Sequence, residues 1–290
     1  MSKGSTIFEQ LQALLSRAAF ARVVAECRGD YKVQVASCWS HLNCLLLILL
    51  TRCSSLMDFQ TSFQGRKTFL QRLGIGSVDD STVSYANHHR PWQVMMQVFV
   101  RLYQQCRVVS PSHRFRFRGR LFLLDATEMD TCATLFEWAR ISPTQSGVKM
   151  HVGLDHNGVI PNFVAISSMR ESELTQAKTL AFPAGTVLCF DRGYFSSAWL
   201  QALTKQGCVF VTRWRAGTQF KVVRTHHSTT SKGVIRDQII RLTGDNTRNN
   251  YPGPLRLIEF FHAETKKTYL FLTNQLTWSD VTICQIYKSR

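Results

Sequence analysis

The spacing of apolar residues changes once along this chain, near residue 113, and that change limits the fold more than any other feature. Before it, apolar residues recur at helical intervals. They stand at Ile7, Leu11, Leu14 and Leu15, fill most positions from Cys38 to Leu50, and return at Val94, Met95, Val98, Phe99, Leu102 and Tyr103 within Trp92 to Val108. Residues 1–112 are therefore predicted to form a helical N-terminal domain, in which Asp80 or Ser81 caps a short helix.

From 113 onward the texture is that of strands. His113 to Arg120 alternates Arg with Phe, as a strand with one cationic edge would, and Arg120 to Asp125 is a short apolar run ending in a carboxylate. Val148 to Leu154 and Gly158 to Ile166 are two runs joined by Asp155-His-Asn-Gly158, a strong hairpin signal. Ser172-Glu173-Leu174 then opens a helix to about Leu180. Thr186 to Phe190 is a buried-type strand ending at Asp191, Ser196 or Ser197 caps a helix through Leu203, and Cys208 to Thr212 is another strand. This order of strand, hairpin, helix, strand, helix and strand is that of the ribonuclease-H-like fold. After Arg213, four short strand-like runs separated by polar turns predict a β-rich insertion over about 214–276, and a last helix begins around Ser279-Asp280.

Charge narrows the partner. Lys plus Arg number 35 against 19 Asp plus Glu, a net +16 that attracts polyanions, of which nucleic acid is the commonest. The helix predicted near Asp80 leads into His88-His89-Arg90, which suits either a helix-turn-helix-like DNA reader or a plain helical hairpin. The nine cysteines form no C-x-x-C pair and no zinc-spaced cluster, and read as reduced, mostly buried thiols. The start lacks a secretory signal, and the apolar run Leu45 to Leu50 falls far short of the roughly 20 residues that span a bilayer. A cytoplasmic, DNA-associated protein with no membrane partner is expected.

Two carboxylates stand out. Asp125 and Asp191 each end an apolar strand, where side chains leave the sheet and can converge on a ligand. As hard oxygen ligands they could share magnesium or manganese, and a two-metal site suits phosphodiester hydrolysis or transfer. Singly, either could be a cap or turn former; as a pair on the first and fourth strands of this order they are brought side by side. Glu128 and Asp130 are rivals, but a strand continuing to Asp130 would turn both to the face opposite Asp125, as surface or edge residues. Lys149 and His151 share one direction on their strand, Lys149 as a phosphate contact and His151 as a structural hydrogen-bonding residue. Arg192 could hold a phosphate, orient Asp191, or pair with a carboxylate. His226 and His227 are expected to be solvated.

The blocks Leu124-Asp-Ala-Thr127, Phe136-x-Trp138-Ala139, Val148-Lys-x-His151 and Asp191-Arg-Gly-Tyr194 resemble the core of bacterial insertion-sequence DDE transposases of the IS-four type. Lys3-Gly-x-Thr-Ile-Phe8-x-Gln10-Leu11 with Gly29-Asp-Tyr31 resembles their N-terminal domain. Thr273-Asn274-x-Leu276 and Ile286-Tyr287-Lys-x-Arg290 resemble the approach to their Tyr-Arg-Glu-Lys signature helix. The resemblance implies a magnesium-dependent transposase with an α-helical N-terminal domain (1–112) and a ribonuclease-H-like core (113–290) interrupted by the β-insertion. It would act on double-stranded DNA at transposon ends and target, with a homodimer left open. Asp125 and Asp191 would then be catalytic metal ligands, and Tyr287 and Arg290 DNA contacts near the cut. The signature's Glu and Lys would fall beyond Arg290, so the third carboxylate is expected outside this sequence and the chain alone is expected to be inactive. Two other readings are a DNA-binding remnant or inhibitor of transposition, and a ribonuclease-H-like nuclease unrelated to transposition.

Overall fold

A computed structural model of the chain describes residues 6–131, 137–226 and 233–290. They form two compact units, Met1–Gln105 and Cys106–Arg290. Cys132, Phe136 and His227, along with Lys3 and Gly4, lie outside the described residues.

The first unit is helical: α1 (Ile7–Ala13), α2 (Arg17–Glu26), α3 (Cys38–Thr51), α4 (Leu56–Phe63), α5 (Lys67–Arg72), α6 (Asp80–His89) and α7 (Trp92–Val109), the last continuing past the boundary. Local chemistry sets several starts. The Thr6 hydroxyl and Glu9 carboxylate form a reciprocal capping box on α1, and Ser37 caps α3. α6 begins one residue earlier than expected, with Asp79 at its N-cap and Asp80 and Ser81 already helical. The stripe predicted for α1 is not its buried face. Ile7, Leu11 and Leu14 are exposed, while Phe8 is buried and Leu15 packs partly buried against the core. α3 is buried on most faces from Cys38 to Cys44, while Leu49 and Leu50 near its end are exposed. Among the described residues, no single helix is long and apolar enough to cross a membrane. An open cleft of about 650 Å³ in this unit is lined by Arg28, Lys32, His89 and Arg90 with Tyr31 and Tyr85, and no acidic residue lines it.

The second unit is built on one nine-stranded sheet. Its elements in chain order are β1 (Leu121–Thr131), β2 (Ser146–Asp155), β3 (Ile160–Ser168), α8 (Glu173–Ala177), β4 (Val187–Phe190), α9 (Ser197–Lys205), β5 (Val209–Arg213), β6 (Phe220–His226), β7 (Val234–Leu242), α10 (Asp245–Asn250), β8 (Leu255–His262), β9 (Lys267–Thr273) and α11 (Asp280–Lys288). The spatial order is β3-β2-β1-β4-β5-β9-β8-β7-β6. β1, β4 and β5 are parallel, and the remaining neighbours are antiparallel. The four strands of the predicted insertion thus extend the same sheet, joined through β9 to β5.

β4 is buried at all four residues because both faces of the sheet are covered there. Leu188 and Phe190 pack with Trp199, Leu200 and Leu203 on one face; Val187 and Cys189 pack with Ile283, Cys284 and Ile286 of α11 on the other. Double coverage explains a continuous apolar run in place of alternation. Cutting a wholly buried Phe190 or Phe210 back to Ala would cost about 3–5 kcal/mol in such a core.

Three expectations need correction. Residues 113–120 are not a strand: Phe115 and Phe117 do turn inward, and Arg114, Arg116 and Arg118 outward, but among the described residues no strand is paired with 114–118. The two Phe rings stack on each other, and Phe117 stacks on Trp278 with centroids 4.6 Å apart, so aromatic packing holds the segment where backbone pairing does not. α8 stops at Ala177 instead of Leu180, and the polar turn at Gly244 opens the short helix α10.

Candidate active site

Strand register brings the two aspartates together. β1 and β4 pair in parallel with Leu121 opposite Val187 and Leu123 opposite Cys189, and Asp125 and Asp191 each stand two residues beyond the last of these pairs. Parallel neighbours lie about 4.8 Å apart, and residues at the same level point to the same face. That face is the one covered by α11, since Leu121, Leu123, Val187 and Cys189 all pack against it. The expectation that both aspartates end their strands holds for Asp191 alone: β4 stops at Phe190, whereas β1 runs on past Asp125 to Thr131, paired with β2 on one side and, beyond Leu123, no longer with β4, so Asp125 stands beside the end of β4.

Each aspartate has one oxygen engaged. Asp191 Oδ1 accepts the Gly193 N–H at 2.7 Å, capping the short 3-10 turn Arg192–Tyr194, and Thr212 Oγ1 donates to the Asp191 carbonyl at 3.1 Å. Asp125 Oδ1 accepts from the Ala126 N–H at 2.9 Å and from the Arg290 guanidinium at 2.7 Å. Among the described residues, neither Oδ2 has a hydrogen bond, and the Asp125 side chain is 62% exposed. Capping by Asp191 and ligation by its second oxygen are compatible.

Arg290 comes from the end of α11. Its Nε donates to the Leu124 carbonyl at 3.4 Å, and an Nη lies 3.3 Å from the Tyr287 hydroxyl. Burial works against its charge, yet Asp125, then Tyr287 and Asp191, outweigh burial and raise its pKa. Tyr287 packs against Phe271 at 4.7 Å, and burial, ahead of any charge, raises its hydroxyl pKa. A guanidinium thus sits where a cation on Asp125 is expected.

Lys149 and His151 occupy the other face of β2's pairing with β1, opposite Glu128 and Ala126. Lys149 is buried, and its ammonium lies 3.1 Å from Glu128 and 3.9 Å from Glu173, so a phosphate would have to displace these carboxylates to reach it. His151 is buried with its Nε2 2.8 Å from Ser167 Oγ. Arg192 is exposed beside Asp191. Trp138 is exposed and Ala139 buried next to it. His226, expected in solvent, is half-buried, with its Nε2 enclosed and without a hydrogen-bond partner among the described residues.

Glu173 was not among the sequence candidates. In the first turn of α8 an acid reads as an ordinary partner of the helix N-terminus, and nothing in its spacing marks it out. In the fold it lies beside Asp191: a Cβ placed on Gly193 would stand 2.5 Å from Glu173 Oε2 and 3.0 Å from Asp191 Oδ1. Burial first, then Asp191, raises the Glu173 pKa; Lys149 opposes them, while Asp125 and Glu128 add to the rise.

The donor set suits a hard divalent cation in part. Asp125 and Asp191 offer carboxylate oxygens at one level of the sheet, and Arg290 already places positive charge there. Among the described residues, no three His, Cys, Asp or Glu side chains stand close enough together to form a finished metal cage. Such a site would leave much of a cation's shell to water or substrate oxygens.

Comparison with known proteins agrees with this geometry. The family described as Transposase DDE domain matches residues 116–290, and a Domain of unknown function (DUF4372) matches residues 3–76. A curated relative from Sinorhizobium fredii, named "Putative transposase y4zB", is 30% identical over 209 residues, covering 71% of this chain and 57% of its own length. The chain thus spans little more than half the length of the curated relative it matches. A cryo-EM structure of a piggyBac transposase synaptic complex with hairpin DNA is similar at a TM-score of 0.45 and 12% identity, covering 97% of this chain and 63% of that one, a likeness too loose to carry an argument. The match over 116–290 takes in more than half of the sequence, both aspartates and the helix that carries Tyr287 and Arg290, and the chain belongs to the DDE transposase family.

Proposed function

We propose that this chain carries the core of a metal-dependent DNA transposase, which nicks DNA at transposon ends and joins the freed 3′-hydroxyl to target DNA. Asp125 and Asp191 hold Mg²⁺ or Mn²⁺, and the strand order β3-β2-β1-β4-β5 is read as a ribonuclease-H-like core bearing the β-insertion. The observation that carries this reading is the register of β1 and β4, in which each aspartate follows two residues beyond the last pair, with one oxygen of each making no hydrogen bond among the described residues. A bound divalent cation would supply charge relief on the phosphate and an activated attacking oxygen. The protein's own part is positional. Asp125 and Asp191 fix where the scissile phosphate sits, Arg192 and Arg290 offer guanidinium groups to neighbouring phosphates, and Tyr287 stiffens the Arg290 side. Lys149 joins the DNA contacts if phosphate displaces Glu128 or Glu173.

Double-stranded DNA is the partner. The net charge of +16 and the acid-free basic cleft of the N-terminal unit support it. Phosphate-dominated binding predicts that affinity falls steeply with salt, by about 10³-fold or more between 50 and 200 mM for six or more contacts. Affinity that stays flat over that range would remove DNA as the partner. The metal site is tested by Mn²⁺ binding read from water-proton relaxation. Asp125→Asn and Asp191→Asn should each weaken it, and two single variants that bind like the parent would overturn the assignment. A second reading, binding of transposon ends without cutting, is favoured by the Arg290 guanidinium already seated on Asp125. DNA retardation with no strand cleavage at any Mg²⁺ or Mn²⁺ concentration would select it.

A further inference from the structure

Glu173 is placed as no purely structural acid needs to be. The N-cap of α8 is already filled by Ser172, whose hydroxyl accepts from the Leu174 N–H, so the helix start does not require a carboxylate at 173. The two oxygens of Glu173 face different ways. Oε1 turns to Lys149 at 3.9 Å, while Lys149 lies closer, at 3.1 Å, to Glu128. Oε2 turns towards Gly193 and Asp191. The distances from a Cβ on Gly193, 2.5 Å to Glu173 Oε2 and 3.0 Å to Asp191 Oδ1, put those oxygens within about 5.5 Å of each other. Gly193 does not need glycine for its backbone angles, since it is not among the residues at positive φ. Its missing side chain instead leaves open the space between two carboxylates.

Charge points the same way. Lys149 lies against Glu128 and Glu173, and Arg290 against Asp125, but among the described residues Asp191 makes no ion pair, so the gap at Gly193 sets the Glu173 and Asp191 carboxylates near each other with no cation paired to Asp191.

We infer that Glu173 is a third carboxylate of this site, a positioning residue that holds the divalent cation of Asp125 and Asp191 through water from the α8 side, with Lys149 as its counter-ion when the cation is absent. The inference rests on the metal-site reading above. Outer-shell partners of this kind usually change metal affinity by tenfold or more.

The test uses Mn²⁺ alone, with affinity read by water-proton relaxation and fold checked by thermal unfolding. Glu173→Gln, nearly isosteric, should bind Mn²⁺ roughly tenfold more weakly than the parent at an unchanged Tm. Glu171→Gln removes the same charge two residues away, from a carboxylate held by Gln176, and should bind like the parent. Gly193→Ala should weaken Mn²⁺ binding in the parent, because its methyl pushes Glu173 off Asp191, and should add little in a Glu173→Ala background. If Asp125→Asn and Asp191→Asn weaken binding and Glu173→Gln does not, Glu173 has no part in the site while the site itself stands. If Glu171→Gln weakens binding as much as Glu173→Gln, the effect is general charge and the inference is overturned. If neither aspartate variant changes binding, the metal-site reading fails, and this inference with it. Should Glu173→Gln lower Tm, the Gly193→Ala pair decides: equal losses with and without Glu173 would overturn the inference.

Discussion

Two Asp–Arg pairs on the same sheet show how differently one chemistry can be used. Asp237 and Arg256, on the neighbouring strands β7 and β8, form a bidentate pair with contacts of 2.8 and 2.6 Å, and a further guanidinium nitrogen donates to the Trp278 carbonyl. Both side chains are almost wholly enclosed, Asp237 at 2% and Arg256 at 6% exposure. Asp125 and Arg290 meet through a single oxygen at 2.7 Å, with the aspartate 62% exposed and its other oxygen open. The first pair is closed: each guanidinium nitrogen and each carboxylate oxygen has a partner within the protein, and the pair ties the insertion strands to the segment leading into α11. The second is unsaturated, and an incoming cation or phosphate can exchange with either partner. Saturation, more than the presence of charge, separates a structural pair from a site.

The sharpest way to break that contrast is to open the closed pair. Arg256→Met leaves Asp237 buried without its cation and should lower stability by about 3–5 kcal/mol, read from urea unfolding. Replacing both residues by apolar ones of similar volume should recover much of the loss, because the desolvation cost of both charges disappears. If Arg256→Met unfolds at the parent's midpoint, the pair is not enclosed in solution and the contrast collapses.

Asp125→Asn is the matching change at the open pair. An ion pair this exposed is worth about 0–1 kcal/mol, so the unfolding midpoint should move little while Mn²⁺ binding falls. A loss of stability as large as that of Arg256→Met would make Asp125 a structural residue, and the site would have to be sought elsewhere.

The difference between the pairs was only partly legible in the sequence. Asp125 and Asp191 could be picked out because each ends an apolar run, and strand periodicity correctly set Glu128 apart from Asp125 through its pairing with Lys149. The four strands after Arg213 were visible as short apolar runs between turns. Their merger into one sheet was not, since the β5–β9 pairing joins Val211 to Thr273 and leaves no local trace. Asp237–Arg256 was invisible for the same reason, and so was the contact of Arg290 with Asp125, 165 residues apart. Glu173 was hidden because an acid in the first turn of a helix is ordinary, and only the fold sets it beside Asp191. The Arg-Phe alternation at 114–118 misled: it marks which residues turn inward, and says nothing about whether a partner strand exists.

His151 is an intermediate case, half closed, and it yields the smallest expected effect. His151 Nε2 lies 2.8 Å from Ser167 Oγ, while Nδ1 is enclosed and without a hydrogen-bond partner among the described residues. Charging the ring would leave an enclosed N–H there with nothing to accept it. Burial first, then Lys149, accordingly lowers the His151 pKa, with Glu171 opposing. The sign follows from linkage: the unfolded chain takes up the proton near pH 6.5 and the folded one only at lower pH, so folding is favoured fully above about 6.5 and loses stability as pH falls through the folded value. His41 and His156 are also lowered, chiefly by burial, and contribute the same slope, so one substitution removes only its own share. His151→Gln should therefore lose less stability between pH 7.5 and 5.5 than the parent does, by less than either substitution above changes it, in urea titrations at fixed salt. A variant whose stability falls with pH as steeply as the parent's would mean that the ring is already solvated, and that the half-closed hydrogen bond to Ser167 does not hold in solution.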